Sequence, residues 1–164
     1  MLYEIYEDML GHPNLLHVQQ HFGSEYLHRI TAYPSIVWVP GKDNYDDPYG
    51  DRIPIDYGTH QQFDSCYLRK AGCKLHLYHK DYKEMEILIN TLHNCLYDVL
   101  ISHGNFAIGD GVWRTGNEYQ QAGKSESKQI SENTVAYLQD LTVFVPIYRL
   151  LPAARVDTTN VTTN

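Results

Sequence analysis

Positive charge is what this 164-residue chain most lacks: 13 Lys and Arg stand against 20 Asp and Glu, for a formal net charge of −7. That deficit argues against an electrostatic grip on nucleic acid, which needs clustered cations to displace counterions from phosphate. Cysteine is scarce too. Cys66, Cys73 and Cys95 are odd in number and have no CxxC spacing, which points to a reducing compartment and away from a disulfide framework. No apolar run approaches the ~18 residues of a membrane span, and the acidic start MLYEIYEDML has neither the basic region nor the apolar stretch of a signal peptide. The chain is therefore expected to be cytosolic when made, with no membrane partner. The Asn160-Val161-Thr162 sequon matters only in a secretory pathway and reads as chance in a Thr- and Asn-rich tail.

Catalytic signatures are missing from the sequence as well. There is no GxSxG elbow and no papain-type cysteine context. Gly109-Asp110-Gly111 lacks the GK[ST] ending of a phosphate cradle and reads as a hairpin turn. Asp81, Glu84 and Glu86 serve a helix N-terminus through its dipole more simply than they serve acid–base chemistry. Two stretches look like metal ligands. In CKLHLYH, residues 73–79, strand geometry puts Cys73, Leu75, Leu77 and His79 on one face and Lys74, His76 and Tyr78 on the other, so the two imidazoles diverge. In HVQQH, His17 and His21 share a face of a predicted helix, but neither the general-base glutamate of HExxH nor a third ligand is indicated. The expectation is a protein without enzymatic activity, metal or cofactor.

What is present is an ordinary globular composition, 43% apolar and 20% charged, with 14 tyrosines that suit protein contacts or strands with a wet edge. The length fits a single domain, placed at 1–156, followed by a frayed tail at 157–164. Leu2, Ile5, Tyr6 and Met9 recur at helical spacing until Gly11-His12-Pro13, and a second short helix is expected from Pro13 to Gly23. Ser35–Val39 reads as a short strand stopped by Pro34 and Pro40. From 41 to 65 periodicity is lost: a long acidic loop, where six aspartates against Lys42 and Arg52 leave −4 of the chain's −7. Residues 67–79 form the next strand and lead into a helix capped by Asp81, with Glu84 three places on. Its apolar face is Met85, Leu88, Ile89, Leu92, Cys95, Leu96, Val99 and Leu100, and it ends at Gly104. Strands around 111–120 and 134–147 form a long hairpin with a polar tip at 122–133, and the second carries Val135, Tyr137, Leu141, Val143, Val145 and Ile147 on one face. One long helix among strands predicts an α+β fold, a largely antiparallel sheet of about four strands packed by helices on one face.

The order of these pieces carries a resemblance. PSIVWVPG, the loop, LRKAGCKLHLYHKDYKEMEILINTLHNCLYDVL with Glu86 at the second helical turn, FAIGDGVWRTGNE with Trp113, and TVAYLQDLTVFVPI with its Val145-Pro146 step together resemble the tail-terminator or neck proteins of tailed bacteriophages, over about residues 33–148. The resemblance implies a non-enzymatic structural virion protein in the tail or neck, assembled in the host cytoplasm. Its partners would be further copies of itself in a ring, typically a hexamer, the tail tube protein and the head–tail connector, with DNA crossing an acidic lumen without specific binding. Candidate interface residues are Asp43, Asp46, Asp47 and Asp51 in the acidic loop, Arg114 on the hairpin, and Lys124, Glu126 and Lys128 at its tip. The alternative is a small cytosolic adaptor or regulatory module that binds a partner through its Tyr-rich surface.

Overall fold

Two helices and eight strands make up the computed structural model, which describes residues 1–46, 55–56, 58–62, 67–115, 134–147 and 150–152. The strands are β1 (Gln19–Phe22), β2 (Ser35–Asp46), β3 (Ile55–Asp56), β4 (His60–Gln62), β5 (Tyr67–His79), β6 (Asn105–Thr115), β7 (Val135–Ile147) and β8 (Leu150–Pro152); the helices are α1 (Leu2–Leu10) and α2 (Tyr82–Leu100). The fold is the α+β class that the residue pattern predicts. An open, mostly antiparallel sheet has strand order β1-β2-β5-β7-β6. It has five strands where about four are expected, because β1 replaces the expected second helix.

HVQQH is the segment that departs from its helical reading. Pro13–Leu15 make one 3₁₀ turn, opened by the His12 ring accepting the Asn14 amide at 3.2 Å, and the chain then extends into β1. The eleven residues from Pro13 to Gly23 are too few for a helix to hold by itself, whereas β2 offers a ready hydrogen-bonding edge. β1 pairs parallel to β2, from Gln19↔Ser35 to Phe22↔Trp38. A parallel pair needs a crossover, and Gly23, at φ +122, starts it.

That crossover covers one face of the sheet. Ile30 joins Val37 of β2, Tyr78 of β5 and Ala136 of β7 in a small core, with Tyr26, Leu27, Tyr33 and Val39 packed around it. Tyr33 also bonds Thr134 side chain to side chain at 2.9 Å. The opposite face meets the helices: Ile36, Trp38, Leu75, Leu77, Leu141 and Val143 are buried there, as are Ile5 and Met9 of α1 and Met85, Leu92, Leu96 and Leu100 of α2. Each fully buried Leu or Ile contributes about 1.5–3 kcal/mol by leaving water. α2 starts as its sequence dictates, with the Asp81 carboxylate accepting the Glu84 amide at 2.8 Å, and ends where the Gly104 N–H, at φ +112, donates to the Leu100 carbonyl.

Pro40 does not stop β2. The Gly23 amide bonding the Trp38 carbonyl is the last link of the β1 pairing, and strand alternation turns the N–H that Pro40 lacks to that same side, where no ladder bond is required. Gly109-Asp110-Gly111 is likewise a bulge inside β6 and no turn: Ile108 faces Leu141 while Gly111 faces Gln139, so three steps on β6 match two on β7. β6 accordingly begins at Asn105, earlier than the expected strand start near 111.

Contacts divide the chain into two compact units, Met1–Asn44 with Lys70–Phe144, and Tyr45–Arg69 with Val145–Asn164. This division runs inside the span 1–156 that the sequence reading treats as one domain. The second unit contains a three-stranded antiparallel sheet, β3-β4-β8, in register Ile55↔Gln62 and Gln61↔Leu151. The expected loop at 41–65 is therefore partly strand: 41–46 extend β2, and β3 and β4 lie within it. The hairpin tip at 122–133 and the tail at 157–164 lie outside the described residues.

Candidate functional site

The two ends of the five-stranded sheet differ. At the β1 end, α1 closes over the sheet through Gln20, which is buried at 7% exposure. Its side-chain nitrogen donates to the Met9 carbonyl at 3.1 Å, its side-chain oxygen accepts the Trp38 indole N–H at 3.1 Å, and its backbone carbonyl accepts the Tyr6 hydroxyl at 3.2 Å. A helix-end carbonyl and a buried indole are thereby both satisfied.

At the β6 end, no further strand among the described residues pairs with the sheet edge, and apolar groups flank it. Tyr97 on α2 and Ile101 just after its end are exposed, with Tyr97 set edge-on to Phe106 of β6 at 5.0 Å between ring centroids. Further along, Trp113 of β6 lies between Tyr82 of α2, at 5.4 Å, and Tyr137 of β7, at 5.1 Å. Trp113↔Tyr137 is a cross-strand pair on the helix-facing side. Beside it Glu86, Ile89 and Asn90 of α2 complete a recess of about 370 Å³.

A second buried glutamine supports this end. Gln139, 1% exposed, shares its two amide N–H groups among the carbonyls of Gly109 at 2.9 Å, Asp110 at 3.3 Å and Asp140 at 3.0 Å, around the bulge. With the nitrogen so committed, its oxygen accepts from His93 Nε2 at 3.0 Å, which fixes the proton on that nitrogen. The bulge has a second consequence, because a Cβ at Gly111 would run into the Tyr137 hydroxyl; glycine there lets the phenol lie across β6.

Imidazole, thiol and carboxylate do meet at one place, between α1 and α2. Cys95 Sγ lies 3.3 Å from His12 Nδ1, and His12 Nε2 lies 3.3 Å from Asp98 Oδ2. Burial and the Asp98 charge push the Cys95 thiol up, the wrong direction for a nucleophile. His103 pairs with Asp8 at 2.5 Å beside it, so the group fastens α1 to the end of α2.

CKLHLYH behaves as its alternation predicts. His79 turns to the helix side, where it lines a recess of about 330 Å³ with His17, Glu84, Ile87 and Leu88, and its Nδ1 accepts the Lys80 amide at 2.8 Å. His76 is on the other face, where burial first and Lys74 second lower its pKa to about 4. Cys73 is pushed up to about 12 by burial. Among the described residues, no group of three His, Cys, Asp or Glu side chains is placed to hold a metal ion. His17 and His21 do not share a helix face: His17 is exposed before β1, and His21 on β1 stacks against Tyr26 at 4.7 Å.

Of the candidate interface residues, Asp43 is half-buried and Asp46 exposed on β2, and Arg114 is exposed on β6 opposite Ala136. β5 and β7 separate β2 from β6, so Asp43 and Arg114 are not neighbours. Asp47, Asp51, Lys124, Glu126 and Lys128 lie outside the described residues. Glu86 and Trp113 stand out singly in the sequence, but their assembly with Tyr137 does not, since the bulge sets the register that joins them. Among the described residues, no helix is long and apolar enough to cross a membrane. The chain matches no protein-family model and no curated protein.

Proposed function

We propose that the chain is a structural subunit that assembles head-to-tail into a closed ring, in the manner of the phage tail-terminator and neck proteins that its order of elements resembles. The observation that carries this reading is the β6 edge, unpaired among the described residues, with Tyr97, Ile101 and Phe106 exposed or half-exposed beside it. An open strand edge bordered by apolar side chains is a surface that proteins ordinarily cover, and a second copy covers it without leaving a further edge when the rotation closes. The two ends of the sheet are unlike, as a head-to-tail contact requires. In this role the ring, of about six copies by the resemblance, caps the tail tube and meets the head connector, and its net acidity disfavours adhesion of the DNA that passes through.

Size-exclusion chromatography with light scattering and negative-stain imaging test the proposal. The expected result is a ring of uniform size, lost in Ile101→Glu while circular dichroism stays that of the folded chain. A monomer at all concentrations, including in mixtures with tail tubes, would overturn it.

A further inference from the structure

We propose that the recess beside Trp113 is a docking site for an arginine side chain presented by a protein partner. Its lining defines the occupant. Glu86 supplies a carboxylate, Asn90 an amide one helical turn on, Trp113 and Tyr137 aromatic rings, and Ile89 an aliphatic floor. Ring faces and a carboxylate are both negative, which selects a cation and rejects phosphate. A guanidinium stacks on an indole face and offers paired donors to a carboxylate, while its aliphatic stem packs on a surface such as Ile89. The volume, about 370 Å³, is at the small end of ligand pockets and suits one side chain.

The walls are set before any partner arrives. Tyr82 backs Trp113 at 5.4 Å and Tyr137 meets it at 5.1 Å, while Gly111 admits the Tyr137 phenol and Gln139 ties down the bulge from beneath. Side chains fixed in this way lose little further freedom on binding. The site is complete within one copy of the chain, so the inference stands whether or not the ring forms.

The test is a titration of isotope-labelled protein with acetyl-Gly-Arg-Gly-amide, read at the two indole N–H resonances by NMR. Trp113 should shift saturably, with a dissociation constant on the order of millimolar, while Trp38, buried on Gln20, stays in place. The lysine peptide should bind more weakly, and the citrulline peptide, which keeps the shape without the charge, about five- to tenfold more weakly. Glu86→Gln should weaken arginine binding by a similar factor with an unchanged fold. No saturable shift, equal binding of arginine and citrulline, or an unaffected Glu86→Gln variant would overturn the assignment. Lysine binding as tightly as arginine would overturn its guanidinium part.

Discussion

The β1 and β6 ends of the sheet each hold one buried glutamine, used for different purposes. Gln20 is sealed under α1 and joins a helix carbonyl to the Trp38 indole, so all its bonds serve closure. Gln139 lies at an end left open, and its bonds hold a bulge and a histidine in place beneath exposed rings. One amide in the core completes a structure, while the other props up a surface. The lesson is that a buried polar residue takes its role from whether water and partners can still reach its neighbours.

Gln20→Leu should cause the largest loss. It strands a buried indole N–H and takes away one of the donors to the Met9 carbonyl, which keeps the His12 N–H, at about 2–3 kcal/mol in urea unfolding. If it costs no more than Gln139→Leu, the contrast between the two ends fails.

The middle strand adds a pH test. The folded state holds His76 neutral, with its pKa lowered from 6.5 to about 4 by burial and by Lys74, against a smaller upward pull from Asp140. The folded state thus binds fewer protons than the unfolded one between these values. The full shift is worth about 3 kcal/mol, which the partial exposure of the imidazole reduces to about 2 kcal/mol; this stability is present above about pH 6.5 and lost as pH falls toward 4. Denaturation at pH 7.5 and 4.5 should show that component vanish in His76→Gln.

Gln139→Leu should cost less than Gln20→Leu, about 1–2 kcal/mol, because water can reach the bulge carbonyls from the open edge. It should also broaden the Trp113 indole resonance, which Gln20→Leu leaves sharp. Smallest is Gly111→Ala, about 1 kcal/mol or less, since the Tyr137 ring can swing away; the readout there is loss of arginine-peptide binding with a nearly unchanged melting temperature.

Much of the architecture was legible because its signals are local. Asp81 with Glu84 marks a helix start within four residues, and the alternation of β5 and β7 repeats at every second residue. The segment 13–23 misled because its apolar spacing is too short to choose between helix and strand, and the deciding partner, β2, is a separate segment of chain. The glycines at 109 and 111 read as a turn for a similar reason, since a bulge exists only relative to the strand opposite. Gln139 was hidden by its polarity: on a face otherwise made of Val135, Leu141 and Val143, only its neighbours' unmet carbonyls explain it.

By itself, then, the sequence determined the α+β class, the capped helix α2, the divergence of the CKLHLYH histidines and the acidic balance, all properties of neighbouring residues and of summed charge. Tertiary structure alone decided the parallel β1, the passage of β2 through Pro40, and the meeting of Glu86, Trp113 and Tyr137. Those features depend on hydrogen-bond register between strands distant in sequence, and register is a relation between segments that neither segment encodes alone.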